Sequence, residues 1–313
     1  MAAAAKIHEE MRKAEQAQAQ KQAAMKAQQD ADRAASIARQ RSTTPRGSGL
    51  KILFLHGYGM SPELSDTIGA LDGLKNTLPG ARITPLAGFV TIDFEHPPTA
   101  ATFADPPNNL SDVRKYSEQT KQPLYAWANF SEPSASDEPR VQQRGYKRED
   151  AATQSAVAEQ LIKHMDDDPA GGYDMLVGFS QGGEIGMLVA ARLSSGHYRA
   201  PKGGRMPTKF LLLGSELGVV FDNFNSATPA EDLPPLHWGA AAESERTGTP
   251  LEVKVAVVAG EKDVDASGSM ESWASELRER GLRHVTTFRW SGDHRMPPKG
   301  EKVYNEVVEM LQV

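Results

Sequence analysis

Cysteine is absent from all 313 residues. That excludes disulfides, a thiol nucleophile, cysteine-ligated zinc and iron–sulfur clusters together. It also fits a reducing compartment. Long apolar runs are missing too: no stretch reaches the roughly 18 residues of a membrane-spanning helix. The N-terminus has no apolar secretory core, and Glu9, Glu10, Glu15, Asp30 and Asp32 argue against a mitochondrial transit segment. The expectation is a cytoplasmic protein with no membrane span.

Residues 1–48 contain no Leu, Val, Phe, Trp or Tyr. A segment without such side chains cannot bury enough apolar surface to offset its ordering entropy. Its Ala/Gln/Lys-rich stretch has good helix propensity but no apolar stripe, so it reads as a solvated, partly helical tail. Ile7, Met11, Met25 and Ile37 are its candidate anchors for a partner, and they form no sustained heptad. Ser42–Gly49, rich in Ser, Thr, Pro and Gly, reads as a linker. The expected organisation is a tail over 1–48 and one globular domain over 49–313. Residues 1–50 carry nine Lys/Arg against five Asp/Glu, a net +4, which leaves −10 for 51–313. So acidic a domain is not expected to bind nucleic acid.

From Leu50 the texture changes. Lys51–Leu55 (KILFL) is a short, nearly continuous apolar run of the kind found in buried parallel strands. Similar runs recur at Met175–Phe179, Lys209–Leu213, Val253–Ala259 and Val285–Trp290, with a further strand at Arg82–Leu86 or Gly88–Ile92. Helical patterns lie among them at about Ser65–Leu78, Ala151–Met165, Gln181–Leu193, Ser267–Arg280 and Lys299–Leu311. Strands alternating with helices predict an α/β fold with a mostly parallel, doubly wound sheet and flanking helices. Residues 93–148 break this rhythm with seven prolines and the aromatics Tyr116, Tyr125, Trp127, Phe130 and Tyr146. A connection that long without its own regular structure predicts a lid-like insertion over part of a site. Asn225–Thr249, rich in Pro and Ala, reads as a surface loop.

Chemistry concentrates at Gly178-Phe-Ser180-Gln-Gly182, a G-x-S-x-G pattern that directly follows an apolar strand and opens an apolar-periodic helix. A sharp strand-to-helix turn needs glycine on both sides and lifts the serine above the carboxyl end of the strand. There the N–H groups of the helix N-terminus favour developing negative charge. A serine nucleophile requires a base, and in such a fold the partners follow in the order Ser, acid, His. Of eight histidines, only His294 combines that order with a place just past a strand. The acid is Asp263 or Asp265, both just past the strand Val253–Ala259; Asp263 is preferred for its Gly-led turn, and Asp265 is suited to capping the next helix. Two N–H donors for an oxyanion are expected from Gln181, after the nucleophile, and from Tyr58 in the loop His56-Gly-Tyr-Gly59. His56 itself reads as a brace for that loop. Nucleotide-binding and metal-binding motifs are absent from the sequence.

Taken together these residues resemble the α/β-hydrolase superfamily and, more narrowly, the FSH group (family of serine hydrolases). The resemblance rests on Leu55-His-Gly-Tyr-Gly59, Tyr125-Ala-Trp-Ala-Asn129, Gly178-Phe-Ser-Gln-Gly182, Gly260-Glu-Lys-Asp263 and Gly292-Asp-His294, and spans about Leu50–Val313. It implies a triad of Ser180, Asp263 and His294, oxyanion donors at Tyr58 and Gln181, and neither metal nor organic cofactor. It also implies a small-molecule acyl ester or thioester as substrate. The rival expectation is a binding protein that keeps the fold without turnover.

Overall fold

A computed structural model describes residues 49–92 apart from Ile68, 117–128, 130–131, 147–148, 151–196, 198, 205–215, 249–263, 267–268, 270–279 and 281–311. They all belong to the compact unit Arg46–Val313. The tail, residues 225–248 of the Pro/Ala-rich loop, Asp265 and most of the lid-like insertion lie outside the described residues.

In chain order the elements are β1 (Lys51–Leu55), α1 (Pro62–Thr67), α2 (Asp72–Thr77), β2 (Arg82–Leu86), β3 (Val90–Thr91), β4 (Tyr125–Ala126), β5 (Phe130–Ser131) and β6 (Lys147–Arg148). They continue with α3 (Ala151–Asp166), β7 (Met175–Phe179), α4 (Gln181–Ser195), β8 (Lys209–Leu213), β9 (Lys254–Gly260), α5 (Met270–Glu279), β10 (His284–Trp290) and α6 (Lys302–Leu311).

Six strands form one parallel sheet in the order β10-β9-β8-β7-β1-β2. Both faces are covered, which is why the central strands are apolar throughout. Leu53, Leu55, Leu176, Phe210, Leu212, Val255 and Val257 point into one core layer, packed with residues of α3, α4 and α5. Their neighbours Ile52, Phe54, Met175, Val177, Leu211, Leu213, Ala256 and Val258 point into the other, packed with α2 and α6. The alternation follows from the two-residue period of a strand. Pro85 is tolerated because β2 is an edge strand, where a missing ladder donor costs little. This is the α/β-hydrolase fold expected from the sequence.

The sheet is wound outward from β1 in two directions: to β2 first, then back to β7 and on through β10. The winding direction therefore reverses between β1 and β7. In open parallel sheets the crevice beyond the carboxyl ends at such a reversal is where ligands bind.

One expectation needs correction, and one open choice is resolved. The helix expected over Ser65–Leu78 is two short helices, because Gly69 adopts φ +68° and ends the first. That first helix starts earlier, at Pro62, where the Ser61 hydroxyl accepts the Leu64 N–H at 3.0 Å. The open choice between Arg82–Leu86 and Gly88–Ile92 resolves as both: the first joins the main sheet, and Val90–Thr91 pairs antiparallel with Tyr125–Ala126. Trp127, one of the aromatics of the 93–148 stretch, is fully buried, along with Leu124 and Ala126.

Candidate active site

Ser180 stands between β7 and α4 with φ 52° and ψ −124°, a conformation that L-residues rarely hold. The glycines on either side of it are closely packed. A Cβ on Gly178 would meet Gly182 O at 2.5 Å, and one on Gly182 would meet Leu55 O at 2.3 Å and His56 O at 2.5 Å. The flanking glycines thus let α4 press against both β7 and the end of β1. Ser180 carries no capping bond on its own hydroxyl, although it occupies the helix N-cap. Its carbonyl accepts the N–H groups of Gly183 and Glu184 instead.

The hydroxyl is used elsewhere. Ser180 Oγ lies 3.0 Å from His294 Nε2, and His294 Nδ1 lies 2.7 Å from Asp263 Oδ2. A carboxylate only accepts, so Nδ1 carries the proton and the Nε2 lone pair faces the serine hydroxyl. The Asp263 side chain is 4% exposed and that of His294 44%, which puts the anion at the buried end and the imidazole at the solvent-facing one. The neighbouring Asp293 pairs with Arg295 at 3.3 Å rather than with the imidazole.

Backbone lacing holds these two loops together. Glu261 N–H donates to Trp290 O at 2.8 Å and Lys262 N–H to Gly292 O at 2.9 Å. Gly260 approaches so closely that a Cβ there would stand 2.4 Å from Gly292 O. Just past β8, the Ser215 hydroxyl is directed at the carbonyls of Leu213 (3.1 Å) and Ser180 (3.3 Å) and supports the turn at Ser180.

The loop after β1 reaches the same place. A Cβ on Gly57 would lie 3.3 Å from Ser180 Cβ, so the turn bearing Tyr58 flanks Ser180, while Gln181 is the first residue of α4. His56 is fully buried. Its Nε2 accepts the Gly88 N–H at 3.0 Å, and its Nδ1 donates to Gly57 O at 2.7 Å. Burial lowers its pKa to about 4, against the opposing pull of the Gly57 carbonyl, so the ring is neutral and acts as a brace. Burial also pushes the Tyr58 phenol up to about 12. His284 opens β10 and faces Glu252 at the opposite end of the sheet from Ser180, Asp263 and His294. Among the described residues, no group of three or more His, Asp and Glu side chains could hold a metal ion.

The sequence matches the family described as Serine hydrolase (FSH1) over residues 46–305. The chain belongs to that family. No curated protein matches it. Among solved structures, this serine hydrolase is similar to acyl-protein thioesterase 2 of Zea mays, with 16% identity, a TM-score of 0.48, and coverage of 86% of this chain and 97% of that one. Esterase PE8 matches at 14% identity and a TM-score of 0.48, covering 85% of this chain and 93% of its own. SOBER1 of Arabidopsis thaliana matches at 14% identity and a TM-score of 0.47, covering 85% and 98%. Among the described residues, no helix is long and apolar enough to cross a membrane.

One pairing at this site carries no sequence signal. The side chain of Gln181 is joined across 54 residues to the Trp127 backbone by a buried hydrogen bond. Nothing in the local sequence of either residue announces the other.

Proposed function

We propose that this serine hydrolase cleaves carboxylic esters or thioesters through an acyl-enzyme on Ser180. The observation that carries the reading is the unbroken run from Asp263 Oδ2 through His294 to Ser180 Oγ, at 2.7 and 3.0 Å. His294 Nε2 takes the hydroxyl proton as Ser180 Oγ attacks the acyl carbonyl, and the carbonyl oxygen becomes an oxyanion. The N–H groups of Tyr58 and Gln181 receive that oxyanion. His294 then returns the proton to the departing alcohol or thiol, and the acyl group remains on Ser180. A water, deprotonated by the same imidazole, releases the acid and restores the serine. Asp263 holds the imidazole in the tautomer that both half-reactions need.

The choice of esters and thioesters rests on the family and on the serine's place at the carboxyl end of β7, beside the sheet's winding reversal. In this reading residues 1–48 stand apart from catalysis, and a chain lacking them retains its turnover. The test is labelling by a fluorophosphonate probe together with hydrolysis of p-nitrophenyl esters and acyl-CoA of graded chain length. Wild type should label and turn over, and Ser180→Ala should do neither. A wild type that neither labels nor cleaves any member of the panel sinks the reading in favour of a binding protein.

A further inference from the structure

Between the loop after β1 and the first turn of α4 lies the segment Tyr125–Ala128, hydrogen-bonded to both. On one side, Gly59 N–H donates to Tyr125 O at 3.0 Å, Tyr125 N–H to Met60 O at 2.9 Å, and the Trp127 indole N–H to His56 O at 2.7 Å. On the other side, the single carboxamide of Gln181 engages two consecutive residues. Its Oε1 accepts the Trp127 N–H at 2.9 Å, and its Nε2 donates to Ala128 O at 2.7 Å. Gln181 thereby matches a donor and an acceptor on consecutive backbone residues. Trp127 and His56 are 0% exposed and Gln181 4%. The indole also packs 5.3 Å from the His56 ring and edge-on to Phe89 at 5.4 Å, which fixes its orientation.

We propose that Tyr125–Ala128 is a bracket that sets the spacing of the two oxyanion donors, with the Gln181 carboxamide and the Trp127 indole as its positioning groups. The inference rests on the ester-hydrolase reading above, since it concerns the donors that reading assigns to Tyr58 and Gln181. Its physical basis is that the bracket grips each donor-bearing segment within two residues of the donor. Tyr58 lies between His56 and Gly59, both bonded to the bracket, and Gln181 is bonded through its own side chain. An oxyanion donor is effective only at about 2.7–3.1 Å from the developing charge. Two segments from different strands hold such a tolerance only if something rigid joins them, and buried, fully satisfied hydrogen bonds supply that rigidity.

Trp127 and the Gln181 side chain are thus positioning groups, and their loss should be felt in the transition state more than in substrate binding. The test uses the full chain, with each variant titrated by fluorophosphonate so that kcat refers to competent sites. Gln181→Glu keeps the acceptor for Trp127 N–H but sets an oxygen against the Ala128 carbonyl. Trp127→Phe removes the indole donor. A benzothienylalanine at position 127 keeps the indole's shape and lacks only the N–H, so it answers the question even if Trp127→Phe does not fold. Readouts are kcat, KM, Tm, and inhibition by a trifluoromethyl ketone, whose serine adduct carries the oxyanion.

The expected result is a joint fall of kcat and ketone affinity by about 10- to 100-fold, the scale of a sub-ångström to 1 Å misplacement, with KM changed by no more than about twofold. Titrated variants that keep kcat and ketone affinity within about twofold of wild type, whatever their Tm, would overturn the bracket while leaving the hydrolase reading intact. A wild type without labelling or turnover overturns the hydrolase reading first, and the bracket with it.

Discussion

The hydroxyl of Tyr304 in α6 donates to the carbonyl of Pro297 at 3.1 Å, three residues beyond His294. Tyr304 is buried beneath the loop, and burial pushes its phenol pKa upward. It therefore stays a neutral donor and anchors the histidine loop to the second core layer, where Phe288 and Trp290 of β10 also pack. Tyr304→Phe keeps the ring and leaves the Pro297 carbonyl without its donor. The expected cost is about 1–2 kcal/mol of stability, read as a lower Tm, with a smaller loss of kcat than substitution of Ser180, Asp263 or His294.

Asp263→Asn replaces the acceptor at His294 Nδ1 with a group that can present a donor, and so favours the other imidazole tautomer. The Nε2 lone pair facing Ser180 is then lost. Steady-state kinetics should show kcat lowered by about four orders of magnitude with KM little changed. A decrease of only a few-fold would assign the orienting role to another group.

His56 links stability to pH. Its folded pKa of about 4 lies below the ordinary value of 6.5, so between those values the unfolded chain binds more protons than the folded one. Stability from this group is complete above about pH 6.5 and declines as pH falls through 4, by about 3 kcal/mol in all. Urea unfolding from pH 7.5 to 4 should show this decline. His56→Gln, which starts less stable, should show a shallower one.

Gly182→Ala tests the close packing at the turn that bears Ser180. The added methyl would stand 2.3 Å from Leu55 O and 2.5 Å from His56 O, both backbone atoms that no rotamer change can move. The turn must shift. Overpacking of this kind costs about 1–3 kcal/mol, and fluorophosphonate labelling of Ser180 should slow markedly. A variant with wild-type labelling rate would show that the turn absorbs the methyl elsewhere.

Much of this molecule is legible in one dimension because its determinants are local. The five apolar runs are central or edge strands because an apolar run bounded by turn residues has few other ways to be buried. Only their ends differ: β9 extends to Gly260 and β10 begins at His284. Gly178 and Gly182 mark the turn because Cβ atoms there have nowhere to go. The break at Gly69 is less visible, since a lone glycine inside a helical pattern is tolerated unless the chain needs a positive φ there.

Local sequence thus dictates the strand and helix pattern, the sharp turn at Ser180 and the chain order of Ser180, Asp263 and His294. Which distant groups meet is a matter of tertiary structure. His294 reaches Ser180 across 114 residues because parallel strands deliver their carboxyl ends to one edge of the sheet. Trp127, an aromatic in a proline-rich insertion, becomes core because its indole N–H finds His56 O and its ring finds Phe89. Such pairings depend on the winding of the whole sheet, and no local pattern of side chains encodes them.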